Sequence, residues 1–403
     1  MKYRLAYNKS DDLESSFVKM DSVVIYDNGS IASTVQSTTR KSSQVLVQIS
    51  NKKAYMSTFN EVLLEKWNNA HSNGICRYKL KIKCKRLPGK LNFIIQSNSQ
   101  RVQNRRTPET FSSVSMPFNK DKFNFTRLSP EEILFKVAQG SVNSHSSSEY
   151  LSNCQSDDFA VINVSPFAVG HTLLVPDLSQ CRPQILNGYA VKLAIHVHCL
   201  SQNSNFIIGF NSMCGQASVN HLHLHFCYLN IDGDEFADGL SDSRLLIQQP
   251  LTASKHLSER CYLCEATPLP SFLFQVAFVE EIGPVADDVA IIVSYFVKEN
   301  IAHNMSIVRA PPVNLGHYES PEKEQCLVLR VFLWPRKLSF TRKTGEVNTG
   351  AFELSGHALV PEEQFDTVSE EELLLRIKSV AIPDVTCNEI VTQVSQLLNN
   401  QID

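Results

Sequence analysis

Apolar and polar positions along the chain follow two periods, 3.6 for helix and 2 for strand, and the changes between them mark out the elements. From Phe59 to about Ala70 the period is helical, with Val62, Leu63, Lys66 and Trp67 on the buried edge. Thr58, with Glu61 three residues on, forms a capping box at its start. Lys79 to Lys85 alternates basic and apolar residues, Pro88-Gly89 turns the chain and Leu91 to Gln96 resumes as strand, so 77–96 reads as a hairpin. Ser129-Pro130-Glu131-Glu132 repeats the capping signature with Pro in the first turn, predicting a second helix that ends before Gly140. Strands are then expected at Phe159–Val164, His171–Val175, Phe206–Asn211 and Val219–Leu229, with a helix from about Pro183 to Leu200. Further on, strands are expected near 272–279, 303–309 and 326–334, and helices near 286–299, from the capping box Ser369–Glu372 to about Val380, and after Pro383. The class this pattern predicts is α+β with a mainly antiparallel sheet. The strand–turn–strand pattern of 159–175 is loosely echoed at 303–334, the mark of a diverged duplication. Two Ser-rich stretches, Ser30–Ser43 and Ser141–Ser156, lack periodicity and read as a mobile arm and a linker.

Composition narrows the function classes. The chain has 403 residues, a prior of roughly two to three domains. Its 38 basic and 41 acidic residues leave a net charge of −3, which argues against a nucleic-acid binder. Hydrophobic residues make up 43%, enough for a sizeable core. No apolar run approaches the ~18 residues of a membrane span; the densest, Val289–Val297, is interrupted by Ser294. Asn8–Asp12 is polar where the core of a signal peptide would fall, and the 11 cysteines are odd in number and without framework spacing. Reduced thiols in a cytoplasmic globular protein, most simply an enzyme, are the expectation.

The chemistry concentrates in Ser218-Val219-Asn220-His221-Leu222-His223-Leu224-His225. On a strand, His221, His223 and His225 share one face while Leu222 and Leu224 take the other. Three readings compete. One ring can be a nucleophile on phosphorus, since neutral imidazole is available at cytosolic pH and its phosphoryl adduct is labile. Alternating rings can be zinc ligands. Or the strand presents polar rings to solvent. The Gly209–Gly215 loop leading into the triad, with Ser218 and Asn220 beside it, can hold phosphate oxygens and favours the first reading. Cys261-Tyr262-Leu263-Cys264 has CxxC spacing but no second pair, and reads as structural thiols.

The run Ile162-Asn163-Val164-Ser165-Pro166, Gly170-His171-Thr172-Leu173-Leu174-Val175-Pro176 and Asn220-His221-Leu222-His223-Leu224-His225 resembles the histidine triad superfamily. More closely it resembles the GDP-hexose phosphorylase family, related to galactose-1-phosphate uridylyltransferase. Lys122-Phe123-Asn124-Phe125-Thr126, Pro183-Gln184, Gly209-Phe210-Asn211-Ser212 and Glu353-Leu354-Ser355-Gly356-His357 extend the match over about residues 57–380. His225, where the plant arm has Gln, is similar to the animal arm, as are Ile301–Asn304 and Trp334–Phe340; Cys214 departs from the Gly usual in that loop.

The resemblance implies a histidine-triad fold in two diverged halves. Residues 1–50 would be an arm, 51–240 the catalytic half, and 241–403 a degenerate half that completes the pocket. It implies no cofactor or metal. The substrates would be GDP-glucose and inorganic phosphate, with a homodimer as a plausible assembly. His223 would be the nucleophile, with His221 and His225 binding phosphate oxygens or orienting its ring. Ser218 and Asn220 would hold the α-phosphate, Asn211 ribose or phosphate, and His171 would reach the same pocket. Arg336 and Lys337 end an apolar strand and are candidates for the incoming phosphate, against a solvated strand end. Glu353 and His357 are candidates for the sugar, against a structural hydrogen bond. Arg101, Arg105 and Arg106 form a basic patch that reads as an exposed loop. A nucleotide hydrolase of the same fold, or a non-catalytic guanine-nucleotide binder, is the rival.

Overall fold

The computed structural model describes residues 59–104, 109–139, 156–229, 244–314, 327–340 and 348–400, together with the main chain of three short strands nearer the N-terminus. Those are β1 (Tyr3–Arg4), β2 (Phe17–Val18) and β3 (Val23–Tyr26). The Ser30–Ser43 arm, the Thr58 cap, Arg105, Arg106 and nearly all of the Ser141–Ser156 linker lie outside the described residues. The first half then runs α1 (Phe59–Ser72), β4 (Lys83–Arg86), β5 (Ile94–Ser97), α2 (Ser99–Asn104), β6 (Ile133–Gln139), β7 (Asp158–Ile162), β8 (Val169–Val175), α3 (Gly188–Leu200), β9 (Phe206–Asn211) and β10 (Leu224–Tyr228). The second runs β11 (Lys255–His256), β12 (Cys261–Cys264), β13 (Ser271–Val276), α4 (Ile282–Lys298), β14 (Ala302–Ala310), β15 (Val328–Arg336), α5 (Ala351–Leu354), β16 (His357–Leu359), α6 (Glu370–Lys378) and α7 (Asp384–Asn399).

One eleven-stranded sheet, in the order β11-β12-β13-β15-β14-β9-β10-β8-β7-β6-β3, joins the two halves. Every pairing in it is antiparallel except β3 on β6. From the central β9–β14 pair outward, the order is β10, β8, β7, β6 on one side and β15, β13, β12, β11 on the other. Each side is the same succession of three strands, a helix (α3 or α4) and two strands. The duplication expected from sequence is present in the topology, but its register differs. β7 and β8 correspond to β12 and β13 (261–276), whereas 303–334 corresponds to β9 and β10.

Strand alternation divides the core in two. Phe206, Ile208, Phe210, Met305, Ile307, Val331 and Leu333 face a layer of α1, α3, α4 and α7. Phe59 of α1 meets Phe206 edge-on at 5.7 Å, and each such fully buried ring stabilises the fold by roughly 1.5–3 kcal/mol. Ile207, Val308, Phe332 and Trp334 point the other way, toward α5, α6 and a three-stranded sheet ordered β16-β5-β4. Gly209 lies where a Cβ would come within 3.2 Å of Ala351 and Phe352, so its lack of a side chain lets α5 close on the sheet.

Two expectations need correction. The capping box at Ser129 exists, with the Ser129 N–H donating to Glu132 at 2.9 Å, but it closes only a 3-10 turn over Pro130–Glu132. Residues 133–139 are β6, held between β3 and β7, so pairing on both sides overrides the local helix signal. The strand expected over 219–229 begins only at Leu224. Among the described residues no helix is long and apolar enough to cross a membrane.

Candidate functional site

The histidine segment leaves the strand ladder and docks on another loop. The Leu222 N–H donates to the Arg182 carbonyl at 2.8 Å. Gln184 then holds His223 by both main-chain groups: its Oε1 accepts the His223 N–H at 2.9 Å and its Nε2 donates to the His223 carbonyl at 3.0 Å. The same Nε2 lies 3.0 Å from the Asn211 carbonyl. Leu222 and Leu224 are fully buried in the core, so the alternation of sides survives without the ladder. His223 and His225 thereby enter a cavity of about 280 Å³ that both halves of the chain line.

The His223 ring is oriented by main chain. Its Nδ1 lies 2.7 Å from the His221 carbonyl, which can only accept, so Nδ1 carries the proton and Nε2 keeps its lone pair. Phe125 packs edge-on against this ring at 5.0 Å. A second chain of bonds ends on His225. The Phe167 N–H donates to His171 Nδ1 at 3.2 Å, and His171 Nε2 lies 3.0 Å from His225 Nδ1. The Phe167 main-chain N–H can only donate, so His171 Nδ1 is its acceptor and, in the neutral ring, Nε2 carries the proton. That proton is donated to His225, whose own proton is left on Nε2. Burial first, then Arg101, then His223 hold the His171 pKa well below its usual value, so this ring is neutral.

The expected site residues separate into two groups. His223, His225, His171, Ser218, Asn211 and Glu353 line the cavity. His221 does not. Its ring lies between Phe118 and Phe125, each at 5.3 Å, and its Nδ1 accepts the Phe125 N–H. Burial pulls its pKa down to about 4, with the Leu178 carbonyl opposing, so its contribution to the site is its own carbonyl. The three rings thus do not converge as zinc ligands, and among the described residues no group of His, Cys, Asp and Glu is placed to hold a metal ion. Asn220 is also a clamp and not a cavity group: Oδ1 accepts the Gln184 N–H at 2.9 Å and Nδ2 donates to the Pro117 carbonyl at 2.8 Å.

Arg336, Lys337 and His357 are outside the cavity lining. Lys337 is exposed on the surface. Arg336 is buried and donates to the Thr349 carbonyl and to Asn304. Burial, partly offset by Glu353, lowers its pKa to about 10. His357 is buried in β16 opposite Ile94, with a pKa pushed down to about 4 by burial. Glu353 makes a structural hydrogen bond, accepting the Gly350 N–H at 2.8 Å, and also lines the cavity. The Asn211 Oδ1 is committed to Asn304 (2.6 Å) and to the Ala351 N–H (2.9 Å), tying α5 to the sheet.

Among the described residues, the cations that line the cavity are Arg77 and Arg101. The reading of Arg101 as part of an exposed loop was therefore wrong: α2 turns it inward over Phe167. In the sequence Gln184 stands out only within the matching Pro183-Gln184 segment. Neither residue announces itself, because their partners lie 39 and 64 positions away.

The class that fold and cavity define is the histidine-triad fold in duplicated form. Among solved structures, yeast Ap4A phosphorylase Apa2 superposes with a TM-score of 0.51 over 81% of this chain and 96% of that one, at 12% identity, a likeness of fold. The family profiles described as GDPGP1-like, N-terminal domain and GDPGP1-like, C-terminal domain match residues 58–227 and 251–401. GDP-D-glucose phosphorylase 1 of Xenopus laevis is 33% identical over 359 residues, 82% of this chain and 86% of that protein. The Homo sapiens protein of the same name is 32% identical, over 86% of this chain and 85% of its own. GDP-L-galactose phosphorylase 2 of Arabidopsis thaliana is 31% identical over 44% of this chain and 43% of its own. The chain belongs to the GDP-D-glucose phosphorylase (GDPGP1-like) family.

Proposed function

We propose that this protein is a GDP-D-glucose phosphorylase that works through a guanylylated His223. The observation that carries the reading is the His223 ring itself, with Nδ1 protonated against the His221 carbonyl so that Nε2 keeps its lone pair on the cavity side. In the first step Nε2 bonds to the α-phosphorus of GDP-glucose. The bond from that phosphorus to the bridging oxygen breaks, and its electron pair leaves with glucose 1-phosphate. That leaving group is a phosphate monoester whose second pKa is about 6, so it departs without a strong general acid. In the second step an oxygen of inorganic phosphate attacks the same phosphorus, the N–P bond breaks, and GDP leaves. The His221 carbonyl keeps its hydrogen bond throughout and stabilises the charge that the ring acquires. His225, with its Nε2–H set by His171, and the Ser218 hydroxyl donate to the phosphoryl oxygens. Glu353, on the wall formed by α5, is the acceptor for hexose hydroxyls.

The test is GDP formation from GDP-glucose with and without phosphate. Phosphate-dependent GDP and glucose 1-phosphate are the expected products; GMP released without phosphate would make the protein a hydrolase. His223→Asn should lower turnover by at least about a thousandfold, as expected for loss of a covalent nucleophile, with the melting temperature little changed. The reading also places the protein in the cytosol, on its unframed thiols, and subcellular fractionation tests that part.

A further inference from the structure

One stretch of the cavity wall has polar groups that the histidine machinery does not use. Arg101 enters the wall from α2 with its guanidinium carbon 5.6 Å from the centre of the Phe167 ring. Its Nη1 donates to the Ser165 carbonyl and, at 3.4 Å, to the Tyr78 hydroxyl. Its Nε and Nη2 have no partner among the described residues, and no carboxylate there pairs with it. Asn98 accepts the Arg101 N–H with Oδ1 at 3.3 Å, which leaves its Nδ2 buried and unpartnered. Ser165 likewise buries its Oγ without a partner. Asn98 is 6% exposed and Ser165 9%, and both line the cavity beside Arg101.

Buried polar groups without partners are rare in native folds and call for an explanation. Here a carboxamide NH2, a hydroxyl and two guanidinium nitrogens share one wall. That is a donor set suited to a tetrahedral dianion, which a guanidinium fork binds more selectively than an ammonium does. The wall is next to the reacting centre. Phe167 lies between Arg101 and His171, edge-on to the His171 ring with the centres 4.2 Å apart, and His171 bonds directly to His225.

We propose that Arg101, Asn98 and Ser165 form an anion subsite of this cavity, taking a phosphate-type dianion. The occupant is either the inorganic phosphate acceptor or the phosphoryl group that the hexose carries. The identity of that anion rests on the phosphorylase reading; the subsite does not. Steady-state kinetics of Arg101→Gln and Arg101→Lys, with the exposed Lys337→Ala as control, test it. A tenfold or greater rise in KM for phosphate alone assigns the acceptor. The same rise in KM for GDP-glucose alone assigns the phosphoryl group of the hexose. The Lys variant should retain part of the effect, and Lys337→Ala should match wild type. Both KM values within twofold of wild type in Arg101→Gln would overturn the subsite.

Asn98→Asp places a negative charge at the same wall without removing the arginine's anchors. It should raise the affected KM at least as much, with melting temperatures confirming the fold of each variant. Should wild-type protein give no GDP from GDP-glucose, the phosphorylase reading has failed, and calorimetric titration with inorganic phosphate decides the subsite by itself. Binding to wild type that weakens at least tenfold in Arg101→Gln supports it, whereas no binding or equal binding overturns it.

Discussion

Gln184 holds the His223 main chain at two points and has no reactive group of its own. Its removal separates positioning from chemistry. In Gln184→Ala the His223 N–H and carbonyl both lose their Gln184 partner, a penalty of about 1–3 kcal/mol that favours movement of the segment. We expect kcat to fall by about 10–100-fold while KM for GDP-glucose changes less than threefold. Gln184→Glu, which still accepts from the N–H but cannot donate to the carbonyl, should fall between. Equal kinetics in all three proteins would show that the segment holds itself. At this scale the sequence is most legible where a site depends on adjacent residues: the spacing of His221, His223 and His225 marks the segment while leaving a nucleophile, zinc ligands and a solvent-facing strand open, and it is the family resemblance that singles out the middle ring. The sequence is least legible where a site depends on distant residues. His221 meets the His223 ring through its carbonyl, a group every residue has, and Arg336 looks available in sequence but is buried and donates to Thr349 and Asn304 inside the fold.

Elements follow local pattern until a neighbouring strand outbids it. The capping box at Thr58–Glu61 and that at Ser129–Glu132 look alike in sequence, yet the first precedes fourteen residues of helix and the second a single 3-10 turn. The difference lies downstream: Ile133–Gln139 has partners on both edges, which no local pattern records. The connection from α5 to β16 is a turn whose geometry is demanding. Gly356 has φ +99°, and a Cβ there would stand 2.8 Å from the Leu246 nitrogen and 2.5 Å from the Leu246 Cβ. Gly356→Ala must therefore both adopt a left-handed backbone and displace main chain. We expect a loss of about 2–4 kcal/mol in unfolding free energy, with KM for GDP-glucose raised because α5 carries the Glu353 wall. Denaturant unfolding checks the first and kinetics the second; a loss below 1 kcal/mol would mean that the Leu246 turn yields freely.

At the scale of the molecule, the two halves share one sheet, and among the described residues the histidines that line the cavity all come from the first half. The central β9–β14 pair joins the halves, and the second half contributes cavity wall where the first contributes rings. The same large apolar interior buries imidazole rings that the proposed chemistry does not use. Burial pulls the pKa of His196, His221, His303 and His357 down to about 4 and that of His198 to about 3. Unfolded rings titrate near 6.5. Between these values the unfolded chain binds more protons than the folded one, so stability is complete above about pH 6.5 and is lost as pH falls toward 4. Each ring contributes a slope of up to about 1.4 kcal/mol per pH unit within that window, and five of them can exhaust the ~5–15 kcal/mol of a typical domain. We therefore expect the melting temperature to fall steeply between pH 6.5 and 5, where most carboxylates are still ionised and cannot be the cause. His357→Gln, which has no ring to protonate, should flatten that fall by up to one proton's worth while costing some stability at pH 7.5. A melting temperature that stays level from pH 7.5 to 5 would show that these rings charge within the folded protein.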